Sequence, residues 1–184
     1  MTCIVGLVDN GHVYMGADSA CMTHWDGGHN IATPKVFRNG PFIMAGCGRL
    51  RDLQILEHTF APPQKYQDQD DMAFMCTSFT KALRTCMRDN GSLTTYRSAE
   101  YMDSSFIVGF NGVLFVASTD FAILKVTDTY ITDGSGWAFA AGSLHGSEGL
   151  CPKDRITRAL DAAAKYNQYV RPPFTIVSDT DDEG

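Results

Sequence analysis

No run of lysines or arginines occurs anywhere in the chain, and no apolar stretch reaches the roughly 18 residues that a membrane-spanning helix needs. With 15 Lys plus Arg against 21 Asp plus Glu, a formal net charge of −6, a nucleic-acid binder held by phosphate contacts is disfavoured. The start MTCIVGLVDN has neither the basic region nor the long apolar run of a signal peptide, so no membrane partner is expected and the cytoplasm is the expected location. Six cysteines (Cys3, Cys21, Cys47, Cys76, Cys86, Cys151) fall without a CxxC or a Cys/His ligand spacing. Neither a metal site nor a redox pair is indicated, and buried free thiols in a reducing compartment are the expected state. GxSxG, HExxH and phosphate-cradling glycine loops are also missing, which silences the common hydrolase and nucleotide signatures, and no cofactor is expected.

What is present is enough for one core. At 184 residues and 44% hydrophobic, the chain supports a single domain over residues 1–177, followed by an acidic tail over 178–184 that is expected to be solvated. Three Asn-Gly pairs, Asn10-Gly11, Asn39-Gly40 and Asn111-Gly112, sit between short apolar, β-branched runs. Asn-Gly tolerates the positive φ of two-residue hairpin turns, so three hairpins are expected: Cys3–Val8 with Val13–Ala17, Val36–Arg38 with Phe42–Ala45, and Ser105–Phe110 with Val113–Ala117. Further strands are expected at Phe121–Val126, Trp137–Ala141 and Phe174–Val177.

Apolar residues recurring every three or four positions predict a helix over Asp71–Arg88, and a similar spacing predicts one over Arg49–Phe60, stopped by Pro62-Pro63. A third helix is expected over Pro152–Tyr166, with Pro in its first turn. Gln64–Asp71 and Asp89–Asp103 read as loops. Strands bunched with strands and helices with helices give an α+β class: two antiparallel sheets carrying helices on their outer faces.

The chemistry concentrates at the start. Removal of Met1 would expose Thr2 with its hydroxyl and a free α-amine on one residue. Such a threonine supplies a nucleophile and, with an amine of reference pKa about 7.7–8.0, its own general base. If Met1 stays, that amine does not exist. Cys3 is no substitute, because an internal thiol lacks the amine. Hairpin geometry brings Asp18, at the end of Gly16-Ala17-Asp18-Ser19-Ala20, back beside Thr2. His24 and His29, five apart in a Gly-rich loop, fit no metal motif, and His145 has only its closeness to Ser143 to commend it.

Thr2-Cys3-Ile4-Val5-Gly6, Gly16-Ala17-Asp18-Ser19-Ala20, Lys35-Val36-Phe37, Met44-Ala45-Gly46 and Ala141-Gly142-Ser143, in that order, resemble the successive motifs of proteasome β-subunits and the short bacterial HslV-type peptidases. The resemblance implies a four-layer αββα sandwich and a threonine peptidase with Thr2 as nucleophile. It further implies Asp18 and Lys35 as the acid–lysine pair that keeps the amine neutral, Gly46 N–H as oxyanion donor, and Ser143 beside the amine. Met44 and Cys21 are the implied substrate-binding positions. Peptide or unfolded-protein substrates, self-association into rings and an ATPase unfoldase partner follow from the same likeness.

Two departures stand out. Where proteasome β-subunits carry a late Asp and Ser, this chain reads Asn167-Gln168-Tyr169-Val170. Only residues 144–151 separate Ser143 from Pro152, so one outer helix is expected to be missing or shortened. A catalytically silent ring subunit and a small-molecule amidase or acylase on the same fold stay open as other readings.

Overall fold

The computed structural model describes residues 2–23 and 27–181. Strand β1 (Cys3–Asp9) turns through Asn10 (φ 51°) and Gly11 (φ 79°) into β2 (His12–Ala17). Two successive left-handed residues make the turn whose twist matches the strands it joins. A short pair, β3 (Ala20–Thr23) and β4 (Gly27–Asn30), comes next, then β5 (Val36–Asn39) and β6 (Phe42–Cys47). Their turn is Gly40-Pro41, one position later than the Asn-Gly rule predicts: Gly40 takes the positive φ (55°), Pro41 follows it, and Asn39 joins the strand.

Helix α1 (Leu50–His58) follows, and then a continuous helical rod. The rod comprises α2 (Asp71–Phe74), a wider π turn over Met75–Phe79, and α3 (Thr80–Asp89). Asp70 caps it, its carboxylate accepting the Ala73 amide at 2.9 Å. The small hairpin β7 (Thr94–Tyr96) and β8 (Ala99–Tyr101) lies where a loop is expected. It is held to α3 by Glu100, whose carboxylate accepts hydrogen bonds from Arg88 and Arg84. Those two guanidinium groups hold the Glu100 carboxyl down at about 2. Strands β9 (Ser105–Phe110) and β10 (Val113–Ala117), β11 (Ile123–Lys125), β12 (Tyr130–Gly134), helices α4 (Trp137–His145) and α5 (Pro152–Tyr166), and β13 (Thr175–Ser178) complete the order.

One sheet runs β12-β1-β2-β13 and the other β11-β10-β9-β6-β5. All their pairings are antiparallel. Ile4, Met15, Ile43, Ala45, Ile107 and Leu114, drawn from both sheets, form the core between them. On the far side of the first sheet, Val5 and Leu7 pack with Ile156 and Leu160 of α5 and Ala140 and Leu144 of α4. On the far side of the second, Phe42 and Met44 pack with Leu53 of α1 and Phe74, Phe79 and Leu83 of the rod. Strands β1 and β6 are therefore buried on both faces, which is why they read as unbroken apolar runs. The result is the four-layer αββα sandwich. Among the described residues no helix is long and apolar enough to cross a membrane.

Three expectations change. Trp137–Ala141 is the first half of α4 and not a strand: three alanines favour helix, and an unbroken apolar run carries no periodicity to separate the two states. With it, the outer helix expected to be missing or shortened is present as nine residues that run through Ser143 instead of following it. The expected solvated tail is tied down through residue 181. Ser178 is fully buried, Asp179 accepts the Val13 amide at 2.9 Å, and Asp181 pairs with Lys153 at 2.8 Å.

Close packing of α5 on β2 depends on Gly16, where a Cβ would lie 2.3 Å from Ile156 Cγ2. Gly16→Ala is expected to cost about 1–3 kcal/mol through overpacking, lowering Tm by about 2–12 °C for a chain of this size. Combined with Ile156→Ala, the loss should be smaller than the sum of the two single losses; thermal denaturation of the three variants reads both effects.

Candidate active site

Thr2, 4% exposed, enters β1 from a small socket. Its carbonyl accepts the Gly136 amide and the Ser135 hydroxyl, each at 3.3 Å. Beside it, the chain leaving β2 is pinned to the start of β1, because the Asp18 amide donates to the Cys3 carbonyl at 3.3 Å. The Asp18 carboxylate takes four donors. Oδ1 accepts the Cys3 amide and Lys35 Nζ, both at 2.9 Å; Oδ2 accepts the Ala20 amide at 2.9 Å and the Arg171 amide at 3.4 Å. Asp18 and Lys35 are 3% and 5% exposed, so this is a buried ion pair whose lone pairs are well used.

Thr2 and Lys35 line one cleft of about 180 Å3 together with Ala20, Cys21, Gly46 and Gly48, closed on its apolar side by Ile31, Leu50 and Leu53. Leu50 opens α1, so the positive end of that helix borders the cleft. The turn between β6 and α1 is fixed from beneath by Asp52, which is fully buried and accepts hydrogen bonds from the hydroxyls of Ser92 and Ser104. Ser104 Oγ in turn accepts the Arg49 amide at 2.9 Å. Gly48 has φ 135° with a Cβ position 2.4 Å from Ser104 Oγ, so only glycine fits there.

The structure thus gathers Thr2, Asp18, Lys35, Gly46 and Cys21 into one place. It does not bring Ser143 there. Ser143 lies in α4, about 9 Å along the helix axis from Trp137, and the serine beside Thr2 is Ser135, in Gly134-Ser135-Gly136. That triplet ends β12 and precedes α4, and it went unseen because the helix after it was read as a strand. Asn167 completes the socket. As the residue closing α5, it donates from Nδ2 to the Ser135 carbonyl at 2.7 Å and accepts the Tyr169 amide on Oδ1 at 3.0 Å.

Gly46 is also corrected in one respect. Its amide donates to the Lys35 carbonyl at 3.0 Å, extending the β5–β6 ladder by one residue. The Gly48 amide, by contrast, has no acceptor among the described residues. Met44 does not line the cleft. It alternates to the outer face of β6 and is fully buried against Phe42, Leu53 and the helical rod, so Leu53 provides the apolar floor.

Cys3 is a core residue whose thiol is pushed up to about 12, first by burial and then by the negative charge of Asp18. Burial, with Asp133 second, likewise raises Cys47. His29 is exposed on β4 opposite Cys21, while His24 lies outside the described residues, as does Met1. His145 is exposed at the end of α4. Among the described residues no group of three His, Cys, Asp or Glu side chains could hold a metal ion.

No family model and no curated protein matches this chain. Solved structures do. BPH of Thiobacillus denitrificans, in complex with epoxomicin, superposes with a TM-score of 0.76 at 18% identity, over 96% of this chain and 97% of that one. Eukaryotic HslV from Trypanosoma brucei gives 0.66 at 13% identity, over 96% and 98%. The Gly-1 mutant of Anbu from Hyphomicrobium sp. strain MC1 gives 0.68 at 17% identity, over 99% and 84%. Likeness at this level of identity is likeness of fold, and the fold of this chain is the proteasome-like N-terminal nucleophile hydrolase sandwich.

Proposed function

We propose that this protein is a threonine-type peptidase in which Thr2, freed by removal of Met1, is both nucleophile and base. The observation that carries the reading is the buried Asp18–Lys35 pair, whose Lys35 lines one cleft with Thr2. Thr2 Oγ attacks the substrate carbonyl while the α-amine takes the hydroxyl proton and passes it to the leaving amine. Water, deprotonated by the same amine, then releases the acid from the acyl-enzyme. The Gly48 amide, without an acceptor among the described residues, donates to the oxyanion, and the N-terminus of α1 adds the same sign of field. Ser135 and Asn167 seat Thr2, and Ile31, Leu50 and Leu53 receive an apolar side chain. Assembly into a ring, with an ATPase unfoldase delivering unfolded protein, belongs to the same proposal; it is supported by the likeness to HslV alone.

Intact-mass measurement of the purified protein is expected to show a chain starting at Thr2. Thr2→Ala should abolish hydrolysis of short apolar peptides with Tm unchanged, and epoxomicin should inhibit the wild-type protein in the same assay. Retained Met1, or turnover by Thr2→Ala, refutes the reading.

The Lys35 cation disfavours a second positive charge on the nearby amine, so the amine pKa should fall below its reference of about 7.7–8.0. Removing Lys35 alone would strand the Asp18 charge at a cost of about 3–5 kcal/mol; Asp18→Asn combined with Lys35→Met avoids that. In the double variant the acid limb of kcat/KM should move to higher pH, with activity lost more severely at pH 6 than at pH 9.

The thiol chemistry separates Thr2 from its neighbour. With its pKa near 12, Cys3 stays protonated at assay pH, so iodoacetamide should label exposed Cys76 and Cys151 and spare Cys3. Peptide mapping after labelling at pH 8 reads this; rapid Cys3 labelling with loss of activity would make the thiol the candidate nucleophile.

A further inference from the structure

One carboxylate close to the proposed nucleophile plays no part in the mechanism. On β12, Ile131 packs against the core between the two sheets, and Asp133 lies two residues further along the same face. Its register partner across the ladder, Ile4, belongs to that core as well. The strand therefore turns a negative charge inward, between the sheets, at the end of the sandwich where the cleft lies. Asp133 is half-buried, and among the described residues no ion pair engages it.

Neutral groups hold it in place. Oδ2 accepts the Ser105 hydroxyl at 2.5 Å, and Oδ1 accepts the Gly134 amide at 2.6 Å. Ser105 opens β9 of the other sheet, so the carboxylate spans the gap between sheets, while its second oxygen leans towards Gly134. That direction leads to Thr2. Gly134 pairs with Cys3, and the next two residues hold the Thr2 carbonyl through the Ser135 hydroxyl and the Gly136 amide. Strand alternation puts Thr2 on the same face as Ile4, hence diagonally across from Asp133, a relation that sets Cβ atoms about 7–8 Å apart or somewhat less.

The Cys47 thiol shows where the charge is felt. Cys47 pairs with Ser105 in the β6–β9 ladder and packs against the same core between the sheets. Burial raises its pKa most; Asp133 is the next cause, and Lys35 acts in the opposite sense. The fields of Asp133 and Lys35 thus meet in the space beside the turn that forms the cleft.

We infer that Asp133 is a positioning residue for the Thr2 α-amine: its carboxylate faces the amine from β12, favours the protonated form, and offsets part of the effect of Lys35. The balance of the two sets the pH at which the amine becomes a base. The inference rests on the reading of Thr2 as an N-terminal nucleophile. The other titratable groups around the amine are Asp18, paired with Lys35, and the Cys3 and Cys47 thiols, both raised; Ser135 and Asn167 are neutral.

Asp133→Asn removes the charge and keeps the contacts, because an asparagine accepts the Gly134 amide on Oδ1 and donates to Ser105 Oγ from Nδ2. Its Tm should stay within about 2 °C of wild type. Losing a negative neighbour disfavours the ammonium, so the amine pKa should fall by about 0.5–2 pH units, as for a charge about 7 Å away. The acid limb of kcat/KM should move to lower pH with it, opposite to the shift expected for Asp18→Asn with Lys35→Met. Ser105→Ala keeps the charge and cuts the tether, so it should lower Tm and leave the limb within about 0.3 pH unit of wild type. A role that is only structural would move Tm and not the limb.

Competitive acetylation of the N-terminal amine across pH, read by mass spectrometry, gives the amine pKa without any need for turnover. A lower amine pKa in Asp133→Asn supports the inference. If it falls while the wild-type chain hydrolyses no peptide, the pairing of Asp133 with the amine stands and the peptidase reading fails. An amine pKa unchanged in Asp133→Asn, or a Ser105→Ala limb that moves as far as that of Asp133→Asn, overturns the inference. Retained Met1 overturns both.

Discussion

One buried carboxylate organises the cleft. Asp18 sits where a carboxylate would normally be too costly to desolvate, and its ionised form is sustained by four donors from four stretches of chain. The Cys3 amide ties it to the start of β1, the Ala20 amide to β3, Lys35 to the approach to β5, and the Arg171 amide to the segment leading into β13. Each segment comes from a different part of the sandwich, so the anion fixes their mutual positions at one point. Thr2 is oriented because Cys3 is, and Lys35 is held near Thr2 because the same oxygen that receives Cys3 also receives its ammonium.

A charge so enclosed also acts on the neighbouring Cys3 thiol. Cys3 donates its amide to Asp18 and packs its side chain among Val5, Ala140 and Ala163, so its sulfur meets both an apolar wall and a nearby anion. Both effects oppose thiolate formation. A cysteine next to a proposed nucleophile is thus made inert first by its burial and then by the group that prepares the site, which removes a competing reaction without any change of residue type.

How far the sequence revealed this depends on whether the deciding interactions are local. The Asn10-Gly11 and Asn111-Gly112 turns follow from backbone preferences of two residues, and α5 begins at Pro152 and ends at Tyr166 as its local signals require. The pairing of Asp18 with the start of β1 follows from hairpin closure. The misreadings share a different cause. Whether Trp137–Ala141 is helix or strand is decided by the α5 face it covers, and whether Gly46 or Gly48 keeps a free amide is decided by how far the β5–β6 ladder runs past Lys35. Strands β3, β4, β7 and β8 have only three or four residues each, too few for an apolar pattern to announce them, and they exist through pairing. The serine that the structure sets beside Thr2 is Ser135 and not Ser143, and its loop is recognised only once α4 is known to be a helix.

Asn167 shows why residue type at such a point is chemical detail and not decay of a motif. A carboxylate there could only accept hydrogen bonds, and the atom facing it is the Ser135 carbonyl, another acceptor. The amide resolves that conflict by donating through Nδ2 and accepting through Oδ1, and it does so without adding a charge beside the amine whose proton affinity the Lys35 cation is proposed to lower. Because Asn167 closes α5, the seat of Thr2 is joined through Ser135 to that helix. Ile156 and Leu160 of that helix press on β2 at Gly16, two residues before Asp18. One rigid element therefore braces both ends of the cleft, the Thr2 socket at its C-terminus and the strand leading to Asp18 along its length.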